Sequence, residues 1–278
     1  MSPEPDPSWD FRDRAGRPRL LAVLQREIDA FTELVSDPAR WNDPTACAGW
    51  KVRDMVGHLV DATESYLAGF DIARSGDVAG STEPVGVAGM ASASDEAARS
   101  FRNVDRATLL ARLRTDTSQL MRAFGSLSDD EWPGLIVPDR YMGPLPAMIL
   151  AAGLLAGYTV HGWDVRQGRG EPHSISGDAA DLLVPFVFLL WWATADTAAV
   201  DMPYEIGVRT SGRNGGDTRC TVSEKGLRFE PGDVDGCSAI IECDPGTLVL
   251  TAYGRLNGGT VRGDEQLAAG FRSLFVSI

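Results

Sequence analysis

Lysine is nearly missing from this chain. Of 26 basic residues only Lys51 and Lys225 are lysines, and 39 carboxylates leave a formal charge of −13. Such an acidic surface disfavours phosphate backbones and anionic lipid, so neither nucleic acid nor a membrane is an expected partner. Cysteine is sparse too: Cys47, Cys220, Cys237 and Cys243 show no CxxC spacing, which excludes a disulfide scaffold and a zinc ribbon. There is no Gly-x-Ser-x-Gly elbow, P-loop or dinucleotide fingerprint, and Gly212-Arg-Asn-Gly-Gly216 reads as a hairpin turn. Long apolar runs are also lacking. Tyr141 to Trp163 carries no charged residue, but Gly143, Pro144 and Pro146 break its front, and Leu182 to Ala193 is too short to span a bilayer. Residues 1–19 are rich in proline and charge, without the apolar core of a signal peptide, so a cytoplasmic protein is expected, with a flexible N-terminal segment.

The remaining composition, 44% hydrophobic over 278 residues, suits one large domain or two ordinary ones. Spacings of three and four predict a helix through Leu20, Leu24, Ile28 and Phe31, and another through Val52, Met55, Leu59, Thr63 and Leu67. A turn-rich loop, Asp37 to Trp50, joins them. Gly76 to Ser94 reads as a long loop. A third helix runs from about Asp95 or Asp105 to Phe124, and a fourth from near Pro146 to Arg166. Four helices with one long connection describe a bundle over 20–172. Beyond it, 173–278 reads as a small α+β domain. A helix from Asp178 to Ala199 precedes strands at 204–210, 218–223, 227–230 and 239–243, and helical pieces at 244–253 and 264–275 follow. Trp191 and Trp192 are expected to pack between the two domains.

The three histidines differ in promise. His173 follows a proline and reads as an exposed linker residue. His58 falls on the shoulder of its helix, with Asp54, Ala62 and Ser65, where a solvent-facing ring and a functional one are both open. His161 sits near the end of an almost uncharged helix, one turn before Asp164. That carboxylate could accept the Nδ1 proton and fix the tautomer, or pair with Arg166 or Arg53 instead. Cys47, in the loop before the second helix, reads either as a structural turn residue or as a low-pKa thiol.

The segment Trp41-Asn-Asp-Pro-Thr-Ala-Cys-Ala-Gly-Trp-Lys-Val-Arg-Asp-Met-Val-Gly-His58 resembles the signature of the mycothiol-dependent maleylpyruvate isomerase family. Val160-His-Gly-Trp-Asp-Val165 is similar to that family's second signature, a His-x-x-Asp on the fourth helix. Tyr253-Gly-Arg-Leu256 with Val261-Arg-Gly-Asp264 resembles its C-terminal sterol-carrier-like domain. The resemblance implies an α+β protein: a DinB-like four-helix bundle followed by a small sterol-carrier-like domain. It also implies a divalent metal, zinc or nickel, with mycothiol as thiol cosubstrate. His58 and His161 would be metal ligands, with a glutamate one turn before His161. That position holds Gly157, and Gly153 stands where relatives often carry arginine.

The residues therefore point to a small-molecule enzyme with its pocket between His58 and His161. His161, Asp164, Tyr158 and His58 are the candidate catalytic groups, and Gly157, Gly153, Leu154, Asp61 and Arg53 the candidate substrate contacts. Two glycines on one helix face serve either close packing or a larger cavity. The family resemblance favours a thiol- and metal-assisted isomerase or transferase. The departure at Gly157 favours a metal-free tailoring enzyme of secondary metabolism, such as a cyclase, with a bulkier substrate. A noncatalytic ligand-binding protein is the third reading.

Overall fold

The computed structural model describes residues 6–76, 83–171, 173–198 and 200–275. The chain forms two compact units, Phe11–Ile175 and Ser176–Ile278, the second also taking in the residues before Phe11.

The first unit is a bundle of α1 (Arg17–Ser36), α2 (Val52–Ser75), α4 (Arg106–Gly125) and α6 (Ala147–Gln167). Each buries the stripe that its spacing predicts, α1 through Leu20, Leu24, Ile28 and Phe31, and α4 through Leu109, Leu113 and Leu120. Helix α6 is buried almost all round, as its lack of charge requires. Asp105 caps α4 by accepting from Thr108 N, and Asp54 reaches back to Lys51 N at the start of α2.

Two elements depart from expectation. The stretch read as a loop holds most of α3 (Val87–Ser100). Its buried face is Ser94, Ala97 and Ala98, too small to register as an apolar stripe. These residues suit a close approach: a Cβ on Gly57 of α2 would lie 3.0 Å from Ala98 O. After a single helical turn, α5 (Glu131–Gly134), the chain forms an antiparallel hairpin of β1 (Ile136–Asp139) and β2 (Gly143–Pro146). Its prolines read as helix breakers and hid the strands. The described part of the expected flexible segment is also built into the fold. Trp9 and Phe11 are buried, and Phe11 O accepts from Trp132 Nε1 at 2.9 Å.

The second unit has α7 (Gly177–Thr194) and a five-stranded sheet in the order β5-β4-β3-β6-β7. The strands are β3 (Tyr204–Thr210), β4 (Gly216–Ser223), β5 (Gly226–Pro231), β6 (Ala239–Cys243) and β7 (Thr260–Gly263). Pairing is antiparallel except between β3 and β6. Helices α8 (Pro245–Ala252) and α9 (Glu265–Ser273) complete it, so the expected α+β class holds. Helix α7 is long and apolar enough to cross a membrane, yet half of it is buried within the protein, as in a core helix. The paired tryptophans part company. Trp191 stacks on Phe275 and meets Phe271 edge-on inside this unit, whereas Trp192 is 65% exposed.

The entry to α2 depends on an ion pair whose carboxylate is buried. Arg102 donates to both oxygens of Asp54, at 2.7 and 3.0 Å, and the carboxylate is fully buried. Burial alone would raise the Asp54 pKa. The bonds from Arg102 and Lys51 N, with the charges of Arg102 and Arg53, outweigh it and hold the group below 3.8. A lowered carboxylate pKa adds stability above 3.8 that is lost as pH falls through and below that value. Asp54→Ala should cost about 2 kcal/mol at neutral pH, because it removes the charged hydrogen bonds from Arg102 and the bond to Lys51 N that caps α2. The gap between variant and native urea midpoints should narrow at pH 3.

Candidate functional site

The site begins with a loop pinned onto a helix end. Residues 44–51 close on themselves, with Thr45 N donating to Trp50 O at 3.0 Å, and Gly49 supplies the left-handed turn (φ +79°). Ala46 N donates to the backbone oxygen of Asp164 at 2.9 Å, fastening the loop to the last turns of α6. Gly168 permits the approach: a Cβ there would sit 2.0 Å from Pro44 O.

The fastening delivers Cys47 to Asp164, 117 residues away. The Cys47 thiol donates to Asp164 Oδ2 at 3.3 Å, and His161 Nδ1 donates to the same oxygen at 2.9 Å. Asp164 is fully buried, whereas Cys47 and His161 are half-buried. The alternative partner Arg166 instead donates to Gly162 O. Across from His161 stands His58, with ring centroids 5.0 Å apart and planes at 89°. The Trp50 ring lies 5.2 Å from that of His58, and its Nε1 donates to Asp95.

Between Leu150 and Val165, α6 is buried everywhere except at Gly153, Gly157 and His161, a row at four-residue spacing. The matching row on α2 is His58, Ala62 and Ser65, all half-exposed. Both rows are part-exposed and end in the two facing imidazoles, which makes the α2–α6 seam the candidate furrow. A Cβ on Gly157 would meet only Leu59 Cδ2, at 3.8 Å, which is ordinary contact. This glycine leaves room and does not serve close packing. Asp61 takes a bond from Arg140 at 2.8 Å, and burial raises its pKa despite that charge.

Other expected residues lie elsewhere. Tyr158 faces the bundle core, with Phe31 edge-on at 5.5 Å and its hydroxyl 3.0 Å from that of Thr117. Burial pushes its pKa up to about 12, which removes it as an acid or base near neutrality. Leu154 is 3% exposed and belongs to the core. Arg53 lies beside the carboxylate of Asp54, at 4.0 Å. His173 is no exposed linker residue, since its ring bonds to Trp163 O at 3.0 Å and to Glu171 O. Cys47 and Trp50 escaped the sequence reading as site residues. The signal was the turn they occupy, whose destination in space spacing does not reveal.

The metal-ligand trio implied by the resemblance does not fit this chain. Gly157 has no donor atom, and two imidazoles fall short of the three protein ligands of a catalytic zinc site. A different group does converge: one donor atom each from Cys47, His161 and Asp164, all within 4.8 Å of one another.

Residues 21–166 match the family described as mycothiol maleylpyruvate isomerase N-terminal domain. No curated protein matches the chain. Among solved structures, the mycothiol-dependent maleylpyruvate isomerase is similar, with a TM-score of 0.59 and 14% identity over 88% of this chain and 92% of that one. A point mutant of that enzyme matches over the same shares, with a TM-score of 0.60 and 14% identity. At this identity the likeness concerns the fold, including the sheet domain after the bundle.

Tyr158→Phe should keep turnover within about twofold of native while lowering stability by about 1 kcal/mol, through the lost bond to Thr117. Rate assay and urea melt on one preparation check both. Gly168→Ala should cost about 1–3 kcal/mol, as the loop at Pro44 is forced off the helix. Thermal denaturation reads it.

Proposed function

The chain belongs to the mycothiol maleylpyruvate isomerase family, and from that footing we propose that it is a small-molecule isomerase working in the furrow between α2 and α6. The observation that carries this reading is the facing pair His58 and His161, 5.0 Å between ring centroids, at the end of an accessible row on a buried helix. Mycothiol as thiol cosubstrate and maleylpyruvate, or a compound like it, as substrate come from the family and from the similar solved enzyme.

In the proposed reaction a thiolate adds to a carbon–carbon double bond conjugated to a carbonyl. The resulting single bond rotates, and expulsion of the thiolate restores the alkene in the other geometry. Thiol and proton are returned, so the sequence is redox-neutral. Asp164 accepts the Nδ1 proton of His161, which leaves Nε2 as the basic nitrogen able to take the thiol's proton. His58 is the second imidazole in reach of the furrow, suited to donate to the carbonyl oxygen where negative charge collects. Trp50 flanks His58, and the furrow is uncharged along its glycine row.

A second reading is favoured by Gly157. The space beside it suits a bulkier, less charged substrate than maleylpyruvate, handled without the family's metal as a tailoring enzyme would.

Purified protein supplied with mycothiol and maleylpyruvate should convert the cis to the trans isomer, followed by proton NMR. His161→Ala and His58→Ala should each lower kcat at least about 100-fold with the thermal midpoint retained. Unimpaired turnover in His161→Ala would remove that ring from the mechanism. Failure of native protein to turn over maleylpyruvate, with turnover of a larger enone, would select the second reading.

A further inference from the structure

We propose that Cys47, His161 and Asp164 form a binding site for a zinc-class divalent cation, replacing the donor set that Gly157 makes impossible. The inference takes its location from the isomerase reading above but stands on separate observations.

The first is donor count and type. A thiolate, an imidazole and a carboxylate are three different protein ligands of the kind zinc accepts, and three ligands with a position left over is the arrangement of catalytic zinc. Such a mixed set suits zinc, cobalt or nickel better than magnesium or calcium, which take oxygen.

The second is distance. Ligands about 2.0–2.3 Å from one ion stand roughly 3–3.7 Å from each other. Cys47 Sγ lies 3.3 Å and His161 Nδ1 2.9 Å from Asp164 Oδ2, and all three donors fall within 4.8 Å. Small side-chain rotations close the remainder.

The third is rigidity. Cys47 does not reach the site on a loose loop. Ala46 N is bonded to Asp164 O, Cys47 N is bonded to Thr45 Oγ1 at 3.2 Å, and Gly168 lets Pro44 lie against the helix. Thiol and carboxylate therefore sit together before any ion arrives.

The fourth is charge. Asp164 is fully buried, and the proton donors on it, Cys47 and His161, are themselves metal ligands. A divalent ion takes the place of those protons. Cys47 releases its proton to solvent on binding, the His161 ring gives up its Nδ1 proton and takes one at Nε2 through solvent, and the anionic thiolate and carboxylate neutralise the cation. With the ion bound, His161 serves as a ligand, and proton transfer in the furrow rests on His58.

The test uses full-length protein stripped with a chelator and titrated with cobalt(II) alone. The native protein should bind one equivalent and develop a thiolate-to-cobalt charge-transfer band in the near ultraviolet. Cys47→Ser should lose that band and bind at least tenfold more weakly, Asp164→Asn should also bind at least tenfold more weakly, and His58→Ala should keep the band. Because Asp164→Asn alters a buried group, a measurement on the native chain accompanies it. Zinc should slow alkylation of Cys47 by iodoacetamide at least tenfold, read by peptide mass spectrometry and reversed by chelator. Cobalt bound without a thiolate band, no cobalt bound, undiminished affinity in Cys47→Ser, or an alkylation rate indifferent to zinc would each overturn the proposal. Any of these, alongside turnover that still needs His58 and His161, would leave the isomerase reading standing. A cobalt site intact in a protein without isomerase activity would do the reverse.

Discussion

The bond from Ala46 N to the backbone of Asp164 holds the candidate site together. Loop 44–51 and the end of α6 are far apart in the chain, and neither carries a complete chemical group alone. Once joined, they set a thiol and an imidazole on one buried carboxylate, and the start of α2, which follows directly from the loop, brings in His58 from the other side. The joint is made of backbone, so it depends on shape more than on side-chain identity. Gly168 provides that shape by leaving Pro44 room to approach. The Asp54–Arg102 pair anchors the same end of α2, one turn before His58.

Much of the bundle was legible because its apolar residues recur at helical spacing and its helices are long. Leu20 to Phe31, Val52 to Thr63 and Leu109 to Leu120 are buried as their periodicity dictates, while Leu67 at the end of the α2 stripe stays half-exposed. The missed elements share a physical cause. Helix α3 buries alanine and serine against Gly57, so its packing works by close approach and leaves little trace in hydrophobicity. The β1–β2 hairpin is built around prolines, which signal interruption more strongly than extension. Trp191 and Trp192 show a different limit: adjacent residues on a helix point about 100° apart, so one joined the aromatic core and the other met solvent.

At the site, the relation of His161 to Asp164 was readable because it is local, one turn along a helix. The facing of His58 and His161 was an expectation carried by the family resemblance, which makes both rings ligands of one metal. Cys47 was unreadable as a partner of Asp164, since no local rule links positions 117 residues apart. Tyr158 misled for the opposite reason. It stands one turn from His161 in sequence, but three residues along a helix turn the chain about 60° short of a full circle, enough here to send its hydroxyl into the core beside Thr117.

The glycine row on α6 has a wider consequence. Everything else between Leu150 and Val165 is locked into the core, where a change of one methylene is felt. A Cβ at Gly157 would make only ordinary contact with one methyl group, so an alanine there would disturb the packing little. Under the proposed reading, selection can thus rewrite the substrate at one part-exposed edge of a helix while the scaffold stays constant. A lineage that swaps substrates would be expected to record the change at that edge first.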